Sequence, residues 1–169
     1  MKRQPIIGII GGNNIDDDTR GKAVEVGRAI AKSKAVLICG GLDGVMEAAC
    51  EGAKSEEGTT IGVLPGTEHR SANKFVDIPI VTSLVEERKK IIARTADVAI
   101  VLENDDETQD EIANALKVGT PVVSLSKSIV KEIENLDENL FINAKSPQEA
   151  VSTAIDIFSV LGDIKPKKE

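Results

Sequence analysis

Short β-branched apolar runs alternate along this chain with longer segments in which apolar residues return every three or four positions, a pattern that predicts repeated βαβ units and a parallel sheet. The first run, residues 6–10, ends in Gly11-Gly12-Asn13-Asn14; a helix is predicted over 18–33 with Ala23, Val24, Gly27, Ile30 and Ala31 on its inner face. Asp16, Asp17 and Asp18 stand where a helix N-terminus favours negative charge. A second strand at 35–39 runs into Gly40-Gly41-Leu42-Asp43-Gly44, ahead of a helix over 45–54. Strand three, 60–64, stops at Pro65-Gly66, and 67–74 has too little periodicity to be anything but a loop. Strand four at 77–81 precedes a helix at 84–95, and strand five at 98–102 precedes one at 108–118. After Gly119-Thr120-Pro121 come strand six at 122–125, a short helix near 128–134 and a strand around 140–142. The last helix opens at Ser146-Pro147, with serine capping and proline in the first turn.

These elements predict one α/β domain over residues 1–164, a three-layer Rossmann-like fold with a doubly wound parallel sheet, followed by a charged tail at 165–169. The expected strand order is 3-2-1-4-5-6, with a seventh strand as an optional extension. The longest apolar runs, 35–39 and 98–102, fall far short of the roughly 20 residues that span a bilayer, so no membrane partner is expected. The first residues lack the pattern of a secretory signal, and a cytoplasmic location is expected. Cys39 and Cys50 lack C-x-x-C spacing and are expected to pack as small hydrophobes without a disulfide.

Charge narrows the partners. A net charge of −7, from 28 acidic against 21 basic residues, opposes attraction to nucleic acid. With no Trp or Tyr and three Phe, base stacking has almost nothing to use. A single His and no His/Cys cluster argue against a transition-metal site. The expected partner is a small molecule, bound where an open parallel sheet binds its ligands, outside the carboxyl ends of the strands. Gly11-Gly12 and Gly40-Gly41 both occupy such ends, and each removes side chains where backbone amides and a helix N-terminus approach an anion. Neither is G-x-G-x-x-G, so a standard nicotinamide site is not indicated; tight βα turns alone would also account for each pair.

Gly40-Gly41-Leu42-Asp43-Gly44-Val45-Met46-Glu47, followed by Gly58-Thr59-Thr60-Ile61-Gly62-Val63-Leu64-Pro65, resembles the LOG-like superfamily, whose members include proteins misnamed lysine decarboxylases. An Arg before strand five, Ala96-Asp97-Val98 and Gly119-Thr120-Pro121-Val122-Val123 extend the resemblance through strand six. It is nearest to the short branch that holds molybdenum cofactor carrier proteins and uncharacterised bacterial and archaeal members. The resemblance implies a homo-oligomer, a dimer or a tetramer, and ligand-binding residues Gly11, Gly12, Asn13, Gly40, Gly41, Gly44, Met46 and Thr108. In the superfamily's phosphoribohydrolases an Arg and the last Glu of P-G-G-x-G-T-x-x-E support cleavage of the N-glycosidic bond of a nucleoside monophosphate. Arg88 and Glu111 fall on those catalytic positions.

The loop after strand five departs from that motif. Thr108 and Glu111 match, but all three glycines are replaced, and Glu103, Asp105, Asp106, Glu107 and Asp110 surround the same space with carboxylates. Like charges near 4 Å repel by about 1 kcal/mol in water and about 4 kcal/mol at an effective dielectric of 20, enough together to cancel an ordinary phosphate site. Asp106 and Glu107 also suit the cap of the following helix, and the cluster would alternatively recruit Mg²⁺ or Ca²⁺. His69 has no evident partner, and Lys127 has no Schiff-base context. The expectation is therefore a protein that binds a nucleotide-like or pterin-like ligand, such as a nucleotide or molybdopterin, with little or no catalysis. The alternatives are a molybdenum cofactor carrier, a weak phosphoribohydrolase, and a scaffold that has lost its ligand.

Overall fold

The structure, a computed structural model, describes residues 3–103, 106–126 and 137–161. Seven parallel strands form one sheet: β1 (Ile6–Ile10), β2 (Val36–Cys39), β3 (Thr60–Leu64), β4 (Ile78–Val81), β5 (Val98–Val101), β6 (Val122–Ser124) and β7 (Phe141–Asn143). The helices are α1 (Asp17–Lys32), α2 (Val45–Ser55), α3 (Val85–Thr95), α4 (Asp106–Lys117) and α5 (Pro147–Leu161). The helix expected near 128–134 and the tail at 165–169 lie outside the described residues.

Helix ends follow from local chemistry. The Asp16 side chain accepts the Thr19 N–H at 2.7 Å, and Asp17 and Asp18 complement the dipole of the first turn of α1. Ser146 caps α5 by accepting the Glu149 N–H at 3.2 Å, and the Glu149 carboxylate reaches back to the Lys145 N–H at 2.8 Å. On α1 the buried stripe is Ala23, Val26, Gly27 and Ile30, the i, i+3, i+4, i+7 pattern of one helix face. Val24 and Ala31, expected on that face, are half-buried at its margins. Helix α4 starts at Asp106, two residues before the expected Thr108, so two acidic residues occupy its first turn.

The fold class is the expected one, but the strand order is corrected: the sheet runs β4-β3-β2-β1-β5-β6-β7, with the fourth strand at the edge beside β3 rather than next to β1. Residues 65–77 contain only a single 3₁₀ turn, His69–Ser71, so no crossover helix carries the chain past β3, and β4 is laid down alongside it. Its composition suits an edge, with Pro79 unable to donate to a further ladder. The crossing is then made by α3, which delivers β5 to the far side of β1.

Alternating side chains of the strands feed two layers. Ile7, Ile9, Leu37, Cys39, Val98 and Ile100 pack against α1, α2 and α5. Ile10, Ala99, Val101, Ile38 and Val63 meet α3 and α4 on the opposite face. The order reverses between β1 and β5, and at such a switch point, where neighbouring crossovers diverge, open α/β sheets bind their ligands outside the carboxyl ends of the strands.

Candidate functional site

Two glycine turns are locked together at this end of the sheet. The Val45 N–H, at the start of α2, donates to the Gly12 carbonyl at 3.0 Å. Gly44, with φ +66°, approaches so closely that a Cβ on it would lie 2.3 Å from the Gly12 oxygen and 2.5 Å from the Asn13 oxygen. A Cβ on Gly11 would fall 2.6 Å from the Val45 side chain. The turn after β1 therefore rests directly on the turn after β2.

Arg88 enters from α3. Its side chain is only 9% exposed and its Nε has no hydrogen-bond partner. A Cβ on Gly40 would sit 3.2 Å from Nη2 and 2.8 Å from the Met46 sulfur, so the missing side chain of Gly40 leaves the space that the guanidinium borders. A buried donor left without an acceptor costs about 1–3 kcal/mol, and an anion lying against the guanidinium would offset it. The structure thus brings Gly11, Gly12, Asn13, Gly40, Gly44, Met46 and Arg88 into one chain of contacts. Gly41 completes it from behind, pressed against β3 with its hypothetical Cβ 2.9 Å from the Gly62 Cα.

Thr108 is buried in the first turn of α4, and Glu111 is half-buried about one turn further on. The charges of Arg88 and Glu111 are both felt, with opposite sign, by the buried Cys39 thiol at the end of β2. The Cys39 thiol is held below its ordinary value first by the Cys50 hydrogen bond, against burial, and then by the Gly41 N–H and the charge of Arg88, with Glu111 opposing. The Cys50 thiol is pushed up by its hydrogen bond with Cys39 and by burial. The two sulfurs lie 3.6 Å apart as free thiols. The sequence reading treats them as separate hydrophobes; the clue to their meeting is that position 50 falls on the sheet-facing stripe of α2, with Met46, Ala49 and Ala53.

Of the acidic loop, Asn104 and Asp105 lie outside the described residues, and the side chains of Asp106 and Glu107 are likewise not described. The expected repulsion, capping and Mg²⁺ or Ca²⁺ binding rest largely on them. Among the described residues no group of three or more His, Cys, Asp or Glu is arranged to hold a metal ion. His69 is exposed in the 3₁₀ turn after β3, and Lys127 is outside the described residues. Sequence reasoning missed Asn73, which ties the β3–β4 connection to the second glycine turn; nothing in a polar loop marks it out.

Paired glycine turns beside a buried arginine, where the strand order reverses, define a doubly wound α/β protein of the class that binds ligands at the carboxyl ends of its strands. The sequence profile of the SLOG cluster4 family (LDcluster4) matches residues 4–151, and the chain belongs to that family. An uncharacterised protein of Archaeoglobus fulgidus is 40% identical over 149 residues, 88% of this chain and 93% of that protein. The molybdenum cofactor binding protein of the phototrophic bacterium Rippkaea orientalis superposes with a TM-score of 0.86 at 34% identity, covering 94% of this chain and 99% of the other. The Moco carrier protein of Chlamydomonas reinhardtii gives 0.86 at 36% identity, over 94% and 100%. The LOG-like resemblance, nearest to the carrier branch, is thus found in both sequence and structure. Among the described residues no helix is long and apolar enough to cross a membrane.

Proposed function

We propose that this chain binds the molybdenum cofactor, a phosphorylated pterin, in the switch-point cleft and holds it without transforming it. The observation that carries the reading is Arg88: a guanidinium nine-tenths buried, with Nε unpartnered, beside the bare backbone of Gly40. Its planar fork suits two oxygens of a phosphate, and the amides of the glycine turns supply uncharged donors around it. Gly11, Gly12, Asn13, Gly40, Gly41, Gly44 and Met46 would form the cradle, with the Thr108 hydroxyl at its α4 side. The likeness to two molybdenum cofactor proteins over nearly the whole chain favours the carrier, the first alternative to a general nucleotide-like or pterin-like ligand. A phosphoribohydrolase has less support, because its three loop glycines are replaced here. In this reading Glu111 performs no chemical step, and the protein works in the cytoplasm as a homo-oligomer whose size sedimentation would measure.

A chain without Trp or Tyr is nearly dark at 280 nm, so a bound pterin dominates its near-ultraviolet spectrum. The test is anaerobic incubation with cofactor released from a molybdoenzyme, gel filtration, and then spectroscopy, molybdenum analysis and mass spectrometry. Wild type should retain molybdenum and pterin together, and Arg88→Gln should lose both. Elution of wild type without either, or retention of a nucleotide in preference, overturns the proposal.

A further inference from the structure

Three of the hydrogen bonds of Asn73 bear on the second glycine turn. Its backbone N–H donates to the Gly41 carbonyl at 2.9 Å, and its Nδ2 donates to the Leu42 carbonyl at 2.8 Å. Its Oδ1 accepts the Phe75 N–H at 3.0 Å, which fixes the amide's orientation. Two successive carbonyls of the second glycine turn are therefore directed at one residue of the β3–β4 connection.

A trans peptide is planar, with its N–H and C=O pointing in opposite directions. Turning the Gly41 carbonyl toward Asn73 turns the Leu42 N–H away from it, and turning the Leu42 carbonyl does the same for the Asp43 N–H. Neither N–H has an acceptor among the described residues. Leu42 is half-buried and Asp43 exposed, so the turn that carries them lies at the surface and not in the core. Successive amides directed outward from a turn form an anion-binding nest. The turn cannot slide back to relieve this, because Gly41, at φ +71°, already lies against Gly62 of β3. Independently of these amides, the buried guanidinium of Arg88, with Nε unpartnered, lies against Gly40, two residues before Leu42, and calls for an anion at this turn.

We infer that Asn73 is a positioning residue, holding the Leu42 and Asp43 amides as a two-donor nest for the phosphate of the ligand. The inference rests on the anion-binding reading of the cleft above and adds donors and an orienting side chain to it. It also gives a role to the excursion that places β4 at the sheet edge: the connection between β3 and β4 carries Asn73 to the back of the turn.

The test is a titration of the ¹⁵N-labelled full chain with inorganic phosphate, read by amide shifts. In wild type the Leu42 and Asp43 resonances should move saturably with phosphate. Asn73→Asp, which sets a carboxylate oxygen against the Leu42 carbonyl, and Asn73→Ala should each weaken binding at least tenfold while the core amides of Ile7 and Leu37 keep their positions. Lys74→Ala, an exposed neighbour, should bind as wild type does. If wild type binds phosphate and Arg88→Gln abolishes it, but the Leu42 and Asp43 amides stay still, this inference falls and the cleft reading stands. The same holds if folded Asn73 variants bind normally. If wild type binds no phosphate, both fall. The wild-type shifts decide the matter even where a variant unfolds.

Discussion

Arg88 and Gly40 are placed so that a methyl group on the glycine would lie 3.2 Å from the arginine's Nη2. Contact that tight obliges one partner to move, and the buried guanidinium has no hydrogen bond at Nε to hold it in place. Gly40→Ala should therefore displace Arg88 and weaken phosphate binding about tenfold, or ~1.4 kcal/mol. The other close atom is the Met46 sulfur, the end of a flexible side chain, so the melting temperature should change little. Calorimetric titration with phosphate checks this, and unchanged affinity would remove the pair from the site.

The two helices behind the glycine turns touch through their backbones. A Cβ on Gly27 would lie 1.9 Å from the Ala49 carbonyl oxygen, and one on Gly52 would lie 2.0 Å from that of Val24. Backbone cannot step aside as a side-chain tip does. Gly27→Ala should cost about 3 kcal/mol, the upper part of the usual overpacking range, despite alanine's better helix propensity. Urea unfolding would measure it, and a stabilised variant would contradict the close approach.

What the sequence made legible is the local periodicity. Strands of Val and Ile bounded by glycine, and helices capped by Asp16 and Ser146, are written in neighbouring residues, and their limits are found within one or two positions. The place of β4 is not, because edge or centre depends on whether residues 65–77 build a crossover helix, and a single 3₁₀ turn serves as well as none. At the site, the glycines and Arg88 carry a pattern that can be read along the chain. Asn73 does not: it acts on Leu42, 31 residues away, through carbonyls every residue possesses. Cys39 and Cys50 meet because a strand end faces the second turn of the next helix, a relation of elements rather than of a motif.

Asp77 ties β4 to β3 electrostatically. Partial burial raises its carboxyl, but hydrogen bonds from Lys54 Nζ and from the Thr60 N–H and hydroxyl outweigh that and hold it below the ordinary value of 3.8. A carboxylate with a depressed folded-state value contributes stability above its unfolded value and loses it as pH falls through the folded one. The melting temperature of wild type should exceed that of Asp77→Asn by a constant margin from pH 7 to about pH 5. Below pH 3.8 the margin should shrink, and a margin that widens on acidification would reverse the sign of the argument.

The LOG-like resemblance sets Glu111 on the position of a glycosidase carboxylate, but the glycine loop that would present a phosphate to it is replaced here. Turnover of nucleoside monophosphates should accordingly be absent, or far below an ordinary enzyme rate of about 1 per second. Glu111→Ala should leave phosphate binding within about threefold of wild type. Release of ribose 5-phosphate at an ordinary rate, abolished in Glu111→Ala, would restore the hydrolase reading.

Gly44 is where the two glycine turns depend on one backbone conformation. Its φ of 66° with ψ of −127° lies in a region that side chains rarely enter, a strain of about 1–3 kcal/mol for any other residue. A Cβ there would also be 2.3 Å from the Gly12 oxygen, so Gly44→Ala must push the turn after β1 away from the start of α2. That movement breaks the 3.0 Å hydrogen bond from the Val45 N–H to the Gly12 carbonyl and separates Gly11 and Gly12 from Gly40 and Arg88. Gly44→Ala should thus lose stability and phosphate affinity together, whereas Gly66→Ala, with open space around its position, should lose neither. Denaturant melts and phosphate titrations of the two variants side by side test this. A Gly44→Ala protein that binds normally would mean that the turn after β1 is not part of the anion site.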